Sequence, residues 1–311
     1  MNASPIRLGV FYILRKGLLM KRLETLTYTN SLGESTVFSH ASVYCPQDIE
    51  GLTDVRNTIY SINSMGQDGD TFVANRLESR DIDISGFIRE RDPDKLRAYR
   101  RKLARVLNPQ LSATLTYQYG SFVRVIGCRS VNAPVVSKPV QSIHTAFSVQ
   151  LICLNPFWRE AAEKRDDIAA WIGALEFPVE IPPAGMMVGY RQPSLIVNVF
   201  NGGDVKAGIR IEFQAMDGVV DPVITNVDTL ESIRLNITMQ EGDVLTLSTG
   251  YGEKWARLNR NGFITDALRY VDVDSTFLQL SPGDNLIRYD AAEGLSNLEV
   301  SIFHNNLYLG V

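Results

Sequence analysis

The sequence contains few of the residues that usually mark a catalytic or metal-binding protein. It has three histidines and three cysteines in 311 residues, and none of them has a companion at metal-ligand spacing. The cysteines are far apart and odd in number, which favours buried thiols in a reducing compartment over a disulfide framework. GxSxG, GxGxxG and the phosphate-loop pattern GxxxxGK are also absent. We therefore predict no catalytic residue, no metal site and no cofactor. The histidines and cysteines are His40, His144, His304, Cys45, Cys128 and Cys153.

A strong charge of either sign and a long apolar run are missing as well. The net charge is −4, so the chain as a whole offers no electrostatic partner to nucleic acid or to an anionic membrane. The apolar stretch before Arg15 has about seven residues, too few to span a bilayer, and no other uncharged run reaches spanning length. We predict no nucleic-acid recognition and no membrane association.

The first residues differ from the rest of the chain. Periodic patterning begins only after Met20. We expect residues 1–19 to be an N-terminal extension without a fixed fold, or the product of an upstream start, outside the folded domain.

From there to Phe157 the signals are mostly those of β-strands. TLTYTN and STVFSH alternate around a hairpin turn centred on Gly33. A turn cluster, GQDGD, precedes two more strands, and in the second of them Ile82, Ile84 and Phe87 are expected to share one face. ATLTYQYGSFVRVIGCRSV predicts another hairpin that turns near Gly120.

One helix is predicted within this β-rich region. Asp92 is suited to cap its N-terminus, Pro93 to occupy its first turn, and Asn108-Pro109 to end it. An apolar stripe runs along one side, and six basic residues fill the opposite face. This arrangement predicts a solvated face or a subunit contact rather than a phosphate-binding surface.

The chain changes character after Phe157 and again near residue 194. Residues 158–193 are helical in composition and then rich in proline, which predicts a helical and Pro-rich connector. Residues 194–311 return to short alternating strands between turns, which predict an antiparallel β-sandwich. The predicted fold class is therefore mainly β.

Other polar and aromatic candidates have structural interpretations. Glu253 and Lys254 beside Trp255 would need a partner carboxylate at a defined separation to act as a glycosidase. The acidic clusters GQDGD and DVDVDST lack the spacing of an EF-hand, and turn or loop chemistry explains them. Aromatic residues that could stack on a sugar are more often core residues in a β-sandwich. These aromatic residues are Trp158, Trp171, Tyr190, Tyr251 and Trp255.

The segment LNPFWRE closes the predicted strand TAFSVQLIC. Proline ends the strand because it cannot donate to the ladder and because it restricts the residue before it. We predict that Asn155, Pro156, Phe157 and Trp158 form a domain junction. Phe157 and Trp158 would cap the core of the first domain or contact a neighbouring subunit.

Several segments, taken in order, resemble the distal tail protein (Dit) family of siphophages, a siphovirus tail-component family. In the first half they are LTYTNSLGESTVFS, GDTFVANRLESRDIDISGFI, RRKLARVLNP and FSVQLICLNPFW. In the second half they are PVITNVDTLESIRLNITMQEGDVLTLSTGYGEKW, TFLQLSPGDNLIRYDAAEG and LYLGV. The resemblance covers residues 21–311.

The resemblance implies two β-domains and a structural function. Residues 20–157 would form a β-sandwich "belt" domain with one helix, and residues 194–311 a galectin-like β-sandwich. The belt domains would close into a hexameric ring, which uses heterologous contacts between copies. The implied partners are further copies of the chain, the tail tube protein, the tail-tip or tail-associated protein and a receptor-binding protein. The implied location is the tail tip of a virion assembled in the bacterial host cytoplasm, and no enzymatic activity is implied.

Two other functional classes are alternatives. A carbohydrate-binding accessory module of the tail would attach to the host cell wall, although the galectin His-x-Asn-Pro-Arg cluster is represented only by His304-Asn305-Asn306. A polysaccharide-degrading enzyme would require paired carboxylates in a cleft.

Overall fold

The computed structural model describes residues 24–137, 145–168, 171–173, 189–191 and 196–311. The extension predicted at residues 1–19 and most of the proline-rich part of the predicted connector lie outside these residues. The chain divides into two compact units. The first unit runs to Ala161 and also includes Tyr308–Val311, and the second unit is Ala162–Leu307. In sequence, the second unit is therefore an insertion into the first.

The secondary structure of the described residues is mainly β, as predicted. The first eleven strands are β1 (Glu24–Asn30), β2 (Ser35–Ser39), β3 (Tyr44–Glu50), β4 (Asn57–Ile62), β5 (Thr71–Leu77), β6 (Arg80–Ile88), β7 (Ala113–Tyr119), β8 (Phe122–Ser130), β9 (Val135–Val136), β10 (Thr145–Cys153) and β11 (Trp158–Arg159). One α-helix, α1 (Pro93–Val106), lies between β6 and β7.

The remaining strands follow after Ala161. They are β12 (Lys164–Asp167), β13 (Trp171–Gly173), β14 (Gly189–Arg191), β15 (Ile196–Asn198), β16 (Ala207–Ala215), β17 (Val219–Asn226), β18 (Ser232–Arg234), β19 (Thr238–Met239), β20 (Val244–Gly250), β21 (Glu253–Arg260), β22 (Phe263–Asp266), β23 (Gln279–Leu280), β24 (Leu286–Glu293), β25 (Leu298–His304) and β26 (Leu307–Tyr308). Short 3-10 helices occupy Leu268–Tyr270 and Leu295–Asn297.

The first unit is built on a sheet that closes on itself. Its strand order is β26-β11-β8-β7-β1-β2-β3-β6-β10-β9, and β10 also pairs with β8. That additional pairing joins the strands from β8 to β10 into a barrel, so none of those seven strands is a free edge for its whole length. Alternate residues point inward along the strands, as in β6, where Ile82, Ile84 and Ile88 are fully buried.

The helix packs its apolar stripe on this barrel. Leu103, Val106 and Leu107 are fully buried in the same core as the inward residues of the strands. The predicted cap is confirmed, because the Asp92 side chain accepts a hydrogen bond from the Asp94 backbone N–H at 2.9 Å. The prediction for Phe87 is wrong, because strict alternation through Gly86 places Ile88, not Phe87, on the face of Ile82 and Ile84.

The second unit is a β-sandwich, as the alternating pattern predicted. One sheet has the order β12-β25-β16-β20-β21-β22, with β23 beside β16, and the other has the order β15-β24-β17-β18, with β19 beside β17. Inward residues of both sheets form a single core that includes Ile211, Leu247, Ile224 and Tyr289. The pairs described are antiparallel.

The helical part of the predicted connector at residues 158–193 is wrong where the structure describes it. Residues Trp158–Arg159, Lys164–Asp167 and Trp171–Gly173 are strands. β12 pairs antiparallel with β25, and Ile168 follows it into the core of the second unit. The helix propensity of a segment such as EAAEKRDD is worth only tenths of a kcal/mol per residue, so pairing with an available sheet edge overrides it.

Candidate functional site

Trp158, one of the four predicted junction residues, lies in the core of the first unit. Its side chain is fully buried, and its indole N–H donates to the carbonyl oxygen of Leu52 at 3.0 Å. Its ring meets that of Tyr117 edge-on, with 6.3 Å between centroids. Trp158 therefore links the loop after β3 to strand β7. Its side chain is buried by residues of its own chain.

The three residues before Trp158 form a turn at the end of β10. The Asn155 side-chain oxygen accepts a hydrogen bond from the Phe157 backbone N–H at 3.2 Å. Asn155 is exposed, Phe157 is half-buried and Pro156 is buried. The turn thus directs Trp158 inward, while a subunit contact through Phe157 stays a prediction.

Arg80 is the residue that ties this turn to the rest of the first unit. It is fully buried at an inward position of β6, and its guanidinium donates to four backbone carbonyl oxygens. Nε donates to Pro156 at 2.9 Å, and Nη1 donates to Gly51 at 2.8 Å and Asp54 at 3.0 Å. Nη2 donates to Leu309. Burial lowers the pKa of Arg80, but an arginine starts so high that it remains a cation.

The residues after the second unit return to this cluster. Tyr308 donates its hydroxyl to Glu160 at 2.7 Å, and the Arg124 guanidinium lies 3.9 Å from the centre of the Tyr308 ring. Val311 packs against the core of the first unit. The C-terminal segment, Tyr308–Val311, is therefore an integral part of the first unit.

A second feature of the first unit is a two-stranded ribbon that pairs with no other described strand. It consists of β4, β5 and the turn between them, and we call residues 57–77 the arm. Five of its large apolar side chains are 50–62% exposed, and Met65 at the turn is fully exposed. The exposed strand residues are Ile59, Tyr60, Ile62, Phe72 and Val73.

The arm exposes apolar side chains on both of its faces. Neighbouring residues of a strand point to opposite faces, so Ile59 and Tyr60 lie on different faces of β4. Several polar contacts lie within the ribbon, as between Ser61 and Asp70 at 3.0 Å and between Gln67 and Thr71 at 3.1 Å, and Thr58 donates to Glu78 just beyond its end. A cluster of exposed apolar side chains of this kind is typical of a protein–protein contact.

Sequence reasoning missed Arg80 and the exposure of the arm, but both leave a signal. Arg80 has the same parity as the buried Ile82 and Ile84, so a charged residue stands on the inward face of an alternating strand. The strands of the arm, NTIYSI and TFVANRL, have consecutive apolar residues rather than a clean alternation, which indicates that neither face is dedicated to the core of its own unit.

Of the three histidine candidates, His40 and His304 lie in the described residues, and both contact other side chains of the protein. His304 is buried, and its Nε2 lies 3.1 Å from an Asp166 carboxylate oxygen. His40 Nδ1 lies 3.5 Å from the Cys45 thiol. Asn306 is buried and accepts the Gly202 backbone N–H at 3.0 Å. His304 and Asn306 are thus inside the second unit rather than on a saccharide-binding surface. His144 lies outside the described residues.

Of the remaining candidates, Tyr251 and Glu253 are exposed, whereas Trp255, Lys254 and Asp272 make contacts within the second unit. The Arg257 guanidinium lies 4.6 Å from the Trp255 ring centre, and the Lys254 ammonium lies 4.6 Å from the Phe277 ring centre. Asp272 accepts hydrogen bonds from the Asn236 side chain and the Asp274 backbone. In the described residues no group of three or more acidic, histidine or cysteine side chains could hold a metal ion. The side chains of Trp171 and Tyr190 lie outside the described part.

No helix in the described part of the chain combines the length and the apolar character needed to cross a bilayer.

Two family models match the chain. The model of the phage tail protein RIFT-related domain matches residues 34–153, and the model of the siphovirus-type tail component, C-terminal domain, matches residues 202–306. The two matches fall in the first and second units respectively. No curated protein matches the sequence.

Solved structures resemble the chain over nearly its whole length. The crystal structure of the SPP1 Dit (gp 19.1) protein, described as a paradigm of the hub adsorption apparatus in phages infecting Gram-positive bacteria, is 12% identical with a TM-score of 0.66, and the match covers 91% of this chain and 98% of that one. The phage p2 baseplate in its activated conformation with Sr is 10% identical with a TM-score of 0.47, over 91% and 98% of the two chains. The first likeness is one of fold.

Proposed function

The chain belongs to the siphophage distal tail protein family, and from this premise we propose that it is the subunit of a hexameric ring that joins the tail tube to the tail tip. Members of this family are structural components of phage tails, so its place of action is the tail of the virion. We also propose that the chain is assembled in the bacterial cytoplasm and that it lies at the distal end of the tail tube. The function is assembly, without an enzymatic reaction.

The observation that carries the proposal is the arm. Five large apolar side chains on an isolated two-stranded ribbon are exposed on both faces, and such a ribbon alone in water is only marginally stable. Full burial of a large apolar side chain contributes roughly 1.5–3 kcal/mol. Each of these side chains is already about half covered within one copy, so covering the remainder contributes roughly half of that amount. The sum over the five side chains lies in the lower part of the cost of associating two proteins, which is roughly 4–15 kcal/mol.

We assign the arm to a second copy of this chain. An arm on one copy and an acceptor surface elsewhere on the next form a heterologous contact, and such contacts close into a ring when the rotation permits. The partners beyond the ring are the tail tube protein on one side and the tail-tip or tail-associated protein on the other, with a receptor-binding protein attached through the tip. The second unit supplies a further surface on each copy.

The test compares the parent protein with an arm variant in which Ile59→Ser and Phe72→Ser are combined. We expect the parent to form hexamers in native mass spectrometry and rings in negative-stain images. The arm variant should stay monomeric, and at a concentration too low for assembly its unfolding midpoint should stay close to that of the parent, because both side chains are exposed within one copy.

Leu32→Ser is the matched control. Leu32 is an exposed apolar residue in the turn between β1 and β2, outside the arm. This variant should assemble as the parent does. A parent that is monomeric at high concentration, or an arm variant that assembles normally, would contradict the proposal.

A further inference from the structure

Two of the three cysteines meet where the barrel of the first unit closes. β8 and β10 pair in the register Leu151 with Ser130 and Ile152 with Arg129. One step further along this antiparallel register places Cys153 opposite Cys128. Both side chains are buried, at 4% exposure for Cys128 and 0% for Cys153. The sequence separation of the two residues gave no indication of this meeting.

The Cys153 side chain also affects the ionisation of the Cys128 thiol. The pKa of the Cys128 thiol is raised well above its usual range, first by its hydrogen bond with the Cys153 side chain and then by burial. Opposed residues of an antiparallel pair have Cα atoms about 4.5–5.5 Å apart, and a disulfide requires about 4.4–6.8 Å. Cross-strand placement at this seam therefore satisfies the backbone requirement for a disulfide without a change of register.

We propose that Cys128 and Cys153 are an oxidation site, at which an intramolecular disulfide forms across the seam of the barrel under oxidising conditions. The oxidant is a small disulfide such as oxidised glutathione. A thiolate of one cysteine attacks it and releases one reduced glutathione, and the second cysteine then displaces the other. Two protein thiols and one glutathione disulfide thus give one protein disulfide and two reduced glutathione molecules.

Burial sets the conditions under which this reaction occurs. In the closed barrel neither thiol reaches an oxidant in solution, so exchange requires local opening of β10 or takes place during folding. A tail protein passes from a reducing cytoplasm to an oxidising exterior when the particle leaves the cell. On the proposed function, the site therefore stays reduced while the particle assembles in the cytoplasm, and after release it is oxidised through local opening of β10.

The disulfide has a measurable consequence for stability. It joins β8 and β10, which share only a short ladder of paired residues, and it closes the loop of chain between Cys128 and Cys153. A loop of this size corresponds to a rise in the unfolding temperature of the first unit of about 5–10 °C. Cys45 lies elsewhere, beside His40, and stays reduced, which makes it an internal reference.

The experiment treats the full chain with oxidised glutathione in two ways, in the native state and during refolding from urea. The thiols that remain are alkylated in denaturant, and the peptides are identified by mass spectrometry. We expect a linked pair containing Cys128 and Cys153, a mass lower by two hydrogen atoms, and an alkylated Cys45.

The controls separate the site from general oxidation. Cys45→Ala should form the same linked pair and show the same rise in unfolding temperature. Cys128→Ala and Cys153→Ala should show neither, although each leaves two thiols in the chain. Three alkylated cysteines after both treatments, or a disulfide that contains Cys45, would overturn the proposal.

Discussion

Arg80 Nε lies 2.9 Å from the carbonyl oxygen of Pro156 and donates a hydrogen bond to it. This bond joins an inward position of β6 to the turn that follows β10. The same guanidinium reaches the segment after β3 and the C-terminal segment. One buried cation thus satisfies four carbonyl groups from three separate parts of the first unit.

Arg80→Leu should destabilise the first unit by about 3 kcal/mol or more, because it leaves buried carbonyl groups without a donor. Arg80→Lys should also be costly, since an ammonium has no planar fork to reach all four oxygens. Urea unfolding followed by hydrogen exchange of first-unit peptides measures the loss separately from the second unit. Arg97→Leu on the exposed face of α1 is the control and should change stability little. Equal effects at the two positions would contradict the assignment.

Trp158→Ala should cost the first unit roughly 3–5 kcal/mol, as expected for the removal of a large buried aromatic side chain. Trp158→Phe should cost less, because it fills much of the space and removes only the hydrogen bond to Leu52. Trp255→Phe, at a partly exposed position of the second unit, should leave first-unit stability unchanged. The same unfolding measurement ranks the three variants. Normal first-unit stability in Trp158→Ala would be incompatible with a core position.

Gly86→Ala should destabilise the barrel by about 1–3 kcal/mol through overpacking. A Cβ atom at Gly86 would lie 2.2 Å from the Cys45 carbonyl oxygen and 2.8 Å from Pro46 Cα, so the backbone of β3 would have to move. Gly127→Ala is the matched control, because this strand glycine has nothing within 4 Å of the added atom. The difference in urea midpoint between the two variants is the readout, and a difference near zero would contradict the close approach.

The ion pair between Asp243 and Arg260 should make the second unit less stable in acid. Burial tends to raise the pKa of Asp243, but hydrogen bonds from Arg260 and from the Gln240 backbone N–H outweigh it, so the pKa is lowered. A lowered folded-state pKa stabilises the protein above the unfolded value of about 3.9, and this contribution is lost as the pH falls through the folded value.

Two variants test this dependence in urea titrations between neutral pH and about pH 3. Asp243→Asn should flatten the decline in second-unit stability in acid. Arg260→Met leaves a buried carboxylate without its cation, so its cost should be larger at neutral pH than in acid. Stability curves that run parallel to the parent curve in both variants would refute this role of the pair.

The sequence predicted the elements whose signals are local. The helix could be placed because Asp92, Pro93 and the apolar stripe agree, and the strand that ends at Cys153 because alternation stops at Asn155-Pro156. The β-sandwich of the second unit followed from alternation and frequent turns. These features depend on neighbouring residues, which a single sequence contains.

The features that depend on distant residues could not be predicted in the same way. The strand at Lys164–Asp167 exists because β25, more than 130 residues later, offers an edge, while its own composition favours a helix. The carbonyl partners of Arg80 come from segments up to 229 residues away. Trp158 was placed at a junction from sequence, but its burial against Tyr117 depends on how the barrel closes.

The insertion of the second unit between Ala161 and Tyr308 has a consequence for biosynthesis. A ribosome that has translated β1 to β11 must translate the entire second unit before it adds Leu309. Until then, the nascent first unit lacks one of the four oxygens that hold the Arg80 guanidinium. We therefore expect the second unit to fold first during translation. The first unit should complete its fold only after its last residues leave the exit tunnel.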